Sequence, residues 1–552
     1  MLNVDIKTNY FWSFYHIGSS KLYLKGVLYS HTVSNILDII KSISKKDVAN
    51  FINSLDGHFA IVVQKEDFSF IAVDKIRSTQ IFFTKIEDKF YVDYNPKKLV
   101  KKIGFKKDIK SDAVLELFMS GYTIGNHTVY KNLKSLKAGE LVIFSSINPE
   151  YIQYYGFFGN IEYKNYDSLL EELSELTLNI FRKMLSQIGD RQIIIPLSAG
   201  NDSRLIASIL KHLGAINVKC YSYGSIGNFE ANIAQNIAKK LEYEYIFIPL
   251  SYKSEKNYYA SEDYKKYLNF SETYSSIPYI QSLSTVKYLK DMDWIDDNAI
   301  FINGNSGDFI SGAHINSLVK SVSTSSNQKN RKENILENLV DKHFSLWGHL
   351  KTKGNIEKIK TSLWNEIALV HGNELNNKEK DHLLYEYSEF INRQSKYVIT
   401  GQKIYEFYNY DWRLPLWDVE YLFFWQKVPV EFKEKQKLYV DMLKKKNFGN
   451  VWGSDIPVNR KNITPRYVIP IRFVVKIFFS LFGNSGKIVW RQFDKVVFNY
   501  WMINTHTLKA FSYFRILADF SKKPRGIYAC WASDSYVNKF KGLISKCNPP
   551  KN

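Results

Sequence analysis

Cysteine is nearly absent from this chain, with 3 in 552 residues: Cys220, Cys530 and Cys547. Three widely spaced thiols make no disulfide framework and give no metal-ligand spacing, so a reduced, cytoplasmic setting is expected. No cysteine precedes Cys220. No uninterrupted apolar run is long enough to cross a bilayer. The opening residues, Met1-Leu2-Asn3-Val4-Asp5-Ile6-Lys7, lack the basic-then-apolar order of a signal peptide. Internal repeats and long low-complexity tracts are missing. So are zinc-finger spacing and helix-turn-helix patterning, and no nucleic acid is expected as a partner. Acidic residues are outnumbered 55 to 75 by Lys and Arg, leaving a net charge of +20. Two explanations stand side by side: anionic partners, or a compositional bias that also enriches Asn, Ile, Tyr and Phe.

What is present is an ordinary globular composition, 45% hydrophobic and 24% charged. The chain is too long for one core, so two or more domains are expected. Residues 1–160 read as β-rich. Phe59–Val63, Phe68–Val73, Gln80–Thr84 and Leu141–Phe144 are strand-like runs between charged turns. An amphipathic stretch over 165–188, carrying Leu169, Leu170, Leu173, Leu176 and Ile180, marks the domain boundary. From 191 strands alternate with helices: Ile193–Leu197, Val218–Tyr223, Tyr245–Ile248 and Ala299–Ile302 are the strands. This alternation predicts a parallel sheet over 161–430, with ligands beyond the C-terminal strand ends. Residues 431–552 form a basic, aromatic extension. Its run Ile469–Phe479 fits either a buried helix, the favoured reading, or an interfacial helix making peripheral contact with the inner membrane face.

Ser198-Ala199-Gly200-Asn201-Asp202-Ser203 is the most informative stretch. It joins the strand ending at Leu197 to a helix running toward Gly214. A small-residue loop at a helix N-terminus points backbone N–H groups and a partial positive charge at one spot, which suits pyrophosphate. Ser198 and Ser203 offer hydroxyls, and Asp202 offers a carboxylate to magnesium. If position 199 needs a positive φ, Ala199 costs about 1 kcal/mol there. Asn303-Gly304-Asn305-Ser306-Gly307-Asp308 follows the fourth strand, and Asp308 is a second candidate magnesium ligand. Tyr223 and Gly224 end the second strand at the same edge. Arg413 and Lys437 are candidates for offsetting charge on a transferring phosphate.

These segments, in this order, resemble the asparagine synthetase family. Leu55-Asp56-Gly57-His58-Phe59-Ala60, Asp74 with Arg77-Ser78, and Tyr130–Leu133 through Lys137–Glu140 resemble its glutaminase-type domain. Ser198–Ser203 resembles its pyrophosphate loop, Gly304–Asp308 its Gly-Glu-Gly-Ser-Asp segment, and Arg413, Pro415 and Asp418 its Arg-x-Pro-x-x-Asp signature. The resemblance implies an α/β protein. An Ntn-hydrolase-like (αββα) N-terminal domain would precede a parallel-sheet adenine nucleotide α-hydrolase-like synthetase domain with a helical C-terminal extension. It further implies that ATP and magnesium adenylate a carboxylate, and that ammonia or an amine then attacks to give an amide. Leu197, Ser198, Ala199, Gly200, Asn201, Asp202, Ser203, Tyr223, Gly224, Asn303 and Gly304 would bind ATP. Asp202 and Asp308 would hold the metal, with Arg413 and Lys437 as catalytic cations.

The chain departs from that family at three places, the first being Ala199, which stands where the pyrophosphate loop has its first Gly. Leu2 stands where glutamine-hydrolysing members expose a cysteine, so no glutaminase activity is expected by that route and nitrogen comes from free ammonia, a separate ammonia source or a substrate amine. Asn305 replaces a Glu, and an amide does not ionise, which leaves Glu272 and His314 as candidate bases. The carboxylate acceptor is open; an acidic saccharide precursor, as in polysaccharide biosynthesis, suits the basic tail. The rival readings are a non-catalytic scaffold of the same fold and an RNA-modifying pyrophosphate-loop enzyme.

Overall fold

Runs of β-branched and aromatic residues, covered on both faces, build the N-terminal region. The computed structural model describes residues 2–9, 11–103, 109–145, 148–318, 327–458 and 464–540; Cys547 and Met1 lie outside them. The first strands are β1 (Leu2–Val4), β2 (Trp12–Ile17), β3 (Ser20–Leu28), β4 (Gly57–Gln64) and β5 (Ser69–Val73). They are followed by β6 (Phe82–Ile86), β7 (Lys89–Asp93), β8 (Leu133–Ser135), β9 (Glu140–Phe144) and β10 (Glu150–Gln153). One sheet has the order β10-β9-β5-β4-β3-β2 and the other β1-β7-β6-β8. The strand expected over 80–84 starts two residues later, because Gln80 and Ile81 precede the β6 pairing with β8.

The two sheets face each other across Ala60, Val62, Ile71, Phe83, Val92 and Val142. Helices α1 (Val33–Ser42) and α2 (Val48–Ser54) cover the outer side of the larger sheet through Ile36, Ile40 and Ile52. Helix α3 (Pro96–Ile103) lies on the smaller one, beside β6 and β7. The layers therefore run helix, sheet, sheet, helix, which explains why β4 is buried from His58 to Val63 instead of alternating.

Helix α4 (Tyr166–Ile188), capped by Asn165, leads into the third sheet. This comprises β11 (Ile193–Pro196), β12 (Val218–Gly224), β13 (Glu244–Pro249), β14 (Ile300–Ile302) and β15 (Asp411–Arg413). The order is β13-β12-β11-β14-β15, and every pairing is parallel. From β11 the chain winds outward one way through β12 and β13 and the other way through β14 and β15. The order reverses between β11 and β14, and that is where an open parallel sheet leaves a crevice at its C-terminal edge. Ile193 pairs with both Val218 and Ile300, so the loops after β11, β12 and β14 leave the sheet at one level.

The C-terminal region is helical. Its helices include α5 (Val468–Ser480) and α6 (Gly483–Phe493). The expected buried helix over Ile469–Phe479 is overturned: within α5 only Val468 is fully buried, Val475 and Phe479 are half-buried, and Ile469, Ile471, Phe473, Val474, Ile477 and Phe478 are open to solvent. Among the described residues, no helix is long and apolar enough to cross a membrane.

Candidate active site

The loop after β11 is tied by its own hydroxyls. Ser198 N–H donates to Ser203 Oγ at 3.0 Å, the two hydroxyls lie 3.0 Å apart, and Gly200 N–H donates to Ser198 Oγ at 3.2 Å. Gly200 is the N-cap of the helix Asn201–His212, so the first N–H groups of that helix open on the loop. Ala199 is fully buried and does not adopt a positive φ, so the strain considered for it does not arise. Arg204, the next residue along, anchors the loop from behind. It donates to the carbonyls of Ala199 (3.0 Å), Val451 (3.1 Å), Ile456 (2.8 Å) and Pro457 (3.2 Å). Burial lowers its pKa to about 10, still cationic at neutral pH.

The segment after β14 packs onto this loop. A Cβ on Gly304 would lie 2.9 Å from the Asp202 carbonyl carbon, and one on Gly307 would lie 2.6 Å from Asp202 Cγ. Only glycine permits that approach. It lets Asp308 N–H donate to Asp202 Oδ2 at 3.2 Å, while Tyr439 OH donates to Asp202 Oδ1 at 3.1 Å. Burial and the neighbouring Asp202 charge both raise the Tyr439 pKa, so its phenol stays a donor. Asn303 N–H donates to the Arg413 carbonyl at 3.1 Å, Ser306 Oγ donates to Gln394 Oε1 at 2.7 Å, and Trp417 Nε1 donates to the Asn305 carbonyl at 2.9 Å.

Between these segments lies a cleft of about 440 Å³. Ser198, Gly200, Asp202, Ser203, Tyr223, Asn303, Gly304 and Asp308 line it, together with Leu197. Asn201, Ala199 and Gly224 support it from the loop and strand end. The remaining wall was not legible in the sequence: Glu230, Tyr279, Gln281 and Tyr405, with Asn504 and Thr505 from the C-terminal region. Gly224 lies against the Asn504 carbonyl, and His506 Nε2 meets Ser225 Oγ at 2.9 Å. Among the described lining residues there is no Lys or Arg, whereas Asp202, Glu230 and Asp308 supply three carboxylates. Hard carboxylate oxygens beside a phosphate-sized loop are a fitting donor set for Mg²⁺, which binds through one or two carboxylates plus phosphate oxygens.

Behind Asp308 runs a buried charge chain. His314 Nε2 is 3.5 Å from Asp308 Oδ2, and His314 Nδ1 is 2.5 Å from Glu389 Oε1. Glu389 also meets His343 Nε2 at 3.1 Å and Arg393 at 3.5 Å. Burial opposes charge on every member. Yet Glu389 raises the His314 pKa, and the two histidines hold Glu389 well below its ordinary range. His314 and Arg393 likewise hold Asp308 low against its burial. His343 stays neutral, with burial taking its pKa to about 4.

Four expectations change. Arg413 turns its guanidinium away from the cleft, with one nitrogen on the Trp412 carbonyl at 2.8 Å. The side chain lines a separate cleft with Lys25, His58 and Ser78 of the N-terminal region. Lys437 is exposed over the Tyr166 ring, 4.7 Å from its centroid. Tyr439, two positions on and so about 200° around the helix, takes the inward position instead. Glu272 accepts from Tyr536 OH and from Tyr274 N–H, outside the cleft lining. Both ring nitrogens of His314 face carboxylates, Asp308 at 3.5 Å and Glu389 at 2.5 Å, and against its burial these raise its pKa, so neither nitrogen is turned to the cleft as a free base.

The carboxylates Asp56, Asp418 and Glu420 also converge. The Lys183 ammonium already sits among them, at 2.9, 2.8 and 3.4 Å, and so fills the cation position.

In the N-terminal region, Asp74 is fully buried and accepts from the N–H groups of Phe59 (2.9 Å) and Ile76 (2.8 Å) and from Ser78 Oγ. Arg77 donates to the Leu136 carbonyl at 2.7 Å and, across to the second region, to the Ser395 carbonyl at 3.3 Å.

No curated protein matches the chain. Residues 30–155 match a family model described as a glutamine amidotransferase domain, so the N-terminal region is similar to such domains over the segment that carries Asp56, Asp74, Arg77 and Gly139.

Proposed function

We propose that the chain is an ATP-dependent, amide-forming ligase. The observation that supports this reading is the convergence of two segments on one cleft: Ser198–Ser203 after β11, and Asn303–Asp308 after β14. In the proposed first step a carboxylate oxygen of the substrate attacks the α-phosphorus of ATP. The bond to the bridging oxygen breaks, and pyrophosphate leaves with that electron pair. In the second, the lone pair of ammonia or an amine attacks the acyl carbon. The bond to the AMP oxygen breaks, and nitrogen loses a proton to solvent.

The chain's part in the first step is electrostatic. The Ser198 and Ser203 hydroxyls and the N–H groups at the start of the Asn201–His212 helix donate to the departing pyrophosphate. Asp202 and Asp308 would hold Mg²⁺, which when bound neutralises the phosphate charge that these carboxylates would otherwise repel. Tyr439 and the Asp308 N–H fix the Asp202 carboxylate, and His314 fixes Asp308.

Residues 1–219 contain no cysteine, so they hold no thiolate to release ammonia from glutamine. In this reading the glutamine amidotransferase-like region is a structural partner of the synthetase region. Arg77 and the Lys25–Glu406 ion pair (2.8 Å) join the two.

The test is pyrophosphate release from ATP and Mg²⁺ over a panel of carboxylates, uronic acids and aspartate included, with ammonia and simple amines. Release that needs one carboxylate and disappears in Asp202→Ala is the expected result. Absence of both release and ATP binding would favour a scaffold of the same fold.

A further inference from the structure

The most unusual surface of the molecule is the hairpin of α5 and α6. Its inner side is well packed. Phe479 meets Trp490 and Phe493 with ring centroids 6.3 and 5.4 Å apart, and Phe493 meets Phe520 at 5.6 Å. Arg472 is paired to Asp494 at 2.5 Å, which latches the start of the hairpin to its end. Val496, Val497 and Phe498 bury the chain that follows. The hairpin is therefore a formed element held in place.

Its outer side is apolar and uncovered. Ile471 (56% exposed), Phe473 (63%), Val474 (64%), Phe478 (56%), Leu481 (77%) and Ile488 (67%) stand in solvent. Isolated exposed apolar residues are normal, but a continuous face of large ones over two adjacent helices marks an interaction site.

The charges identify the occupant. From Arg466 to Phe493 the sequence has no Asp or Glu, but it has Arg466, Arg472, Lys476, Lys487 and Arg491. Arg472 is spent on Asp494, and the other four basic residues are exposed. A second copy of this chain on the same face would bring like charges together with no acid in the segment to offset them, since a two-fold contact is self-complementary. A bilayer with anionic headgroups offers hydrocarbon and negative charge together. Lys476 and Lys487 can lie along the apolar face and keep their ammonium groups at headgroup level.

With thirteen residues, α5 is about 20 Å long. That is well short of the roughly 30 Å hydrocarbon core, so α5 is too short to span it.

We propose that the α5–α6 hairpin docks the protein in-plane on an anionic lipid bilayer. The same chain segment continues to Asn504 and Thr505, which form one wall of the cleft. Docking would thereby link the cleft to the membrane surface.

The experiment is flotation of the full chain with vesicles of phosphatidylcholine alone and of phosphatidylcholine with phosphatidylglycerol. Co-flotation with the anionic vesicles is expected. Lys476→Gln with Lys487→Gln should weaken it about tenfold or more, from loss of two juxtamembrane charges. Phe473→Ser with Phe478→Ser should abolish it. All four side chains are exposed, so thermal unfolding of these variants should match the parent. Three results would overturn the proposal: no flotation of the parent chain, unchanged flotation of the double Ser variant, or a dimer in sedimentation that the Ser variant dissociates while the parent ignores vesicles.

Discussion

His314 and Glu389 form the shortest contact in the charge chain behind the cleft, Nδ1 to Oε1 at 2.5 Å, with both side chains largely out of water. The pKa of His314 is raised by this carboxylate from its ordinary 6.5. Its stabilising contribution is therefore full below about pH 6.5 and is lost as pH rises through the raised folded value. Glu389 is held far below its ordinary 4.5, so its contribution is present above that value and fades only in strong acid. Neutral, buried His343 works the other way on acidification, which makes the difference between variants the useful quantity. His314→Gln should cost about 3 kcal/mol near pH 6, where a buried charge loses its partner. In urea unfolding the gap to the parent should narrow steadily toward alkaline pH. A gap of constant size from pH 6 to 10 would mean that His314 is not charged in the folded protein.

Much of this arrangement was legible in the sequence, and the limits are instructive. The β11 loop, the β14 segment and their shared sheet edge follow from local patterns: β-branched runs, small residues and a helix start. What failed was side-chain direction over long separations. Arg413 lies on a strand whose carbonyl serves Asn303 while its guanidinium faces the N-terminal region, and no local pattern distinguishes the two. Lys437 and Tyr439 are separated by helix phase, and a charged residue was a more conspicuous candidate than a tyrosine. Asn504 and Thr505 reach the cleft from some three hundred residues beyond Asp202, a contact that only the tertiary fold creates. The exposure of the α5 face is not written in the sequence, because an apolar run alone does not say what covers it.

The exchange of Lys437 for Tyr439 is open to direct test. Lys437→Ala removes an exposed ammonium stacked on Tyr166 and should leave Mg²⁺-ATP affinity and pyrophosphate release within twofold of the parent, about 0.4 kcal/mol. Tyr439→Phe removes a hydrogen bond to a charged acceptor and should weaken Mg²⁺-ATP binding by about 1.5 kcal/mol or more, roughly tenfold. Calorimetric titration of both variants decides the matter. The opposite ranking would restore Lys437 to the site.

The cleft's own charge predicts a strict cation requirement. Three carboxylates and no described Lys or Arg line it, in a chain whose net charge is +20. A polyphosphate entering alone would meet like charge in a partly desolvated cleft. Titration with ATP in the presence of a chelator should show no measurable heat, and Mg²⁺ should restore it. Asp202→Asn should shift the Mg²⁺ dependence to higher concentration. ATP binding that is indifferent to chelator would place the nucleotide elsewhere.

Gly307 gives the sharpest steric test, because its missing Cβ is what lets the two segments meet. An alanine there would put a carbon 2.6 Å from Asp202 Cγ, 2.6 Å from Asp202 Oδ1 and 2.7 Å from Leu416 Cδ1. None of these neighbours can withdraw cheaply. Asp202 is fixed by Tyr439 and the Asp308 N–H, and Leu416 is buried. Overpacking of this kind costs about 1–3 kcal/mol. Gly307→Ala should therefore lower the denaturation midpoint and weaken Mg²⁺-ATP binding together, since relief requires Asp202 to move. Gly354→Ala is the matched control: it lies in the first turn of the helix Lys353–His371 with open space where a Cβ would stand. There, alanine should be neutral or stabilising by up to about 1 kcal/mol and leave nucleotide binding untouched. If both substitutions behaved alike, the close packing of Gly307 on Asp202 would not be what shapes the cleft.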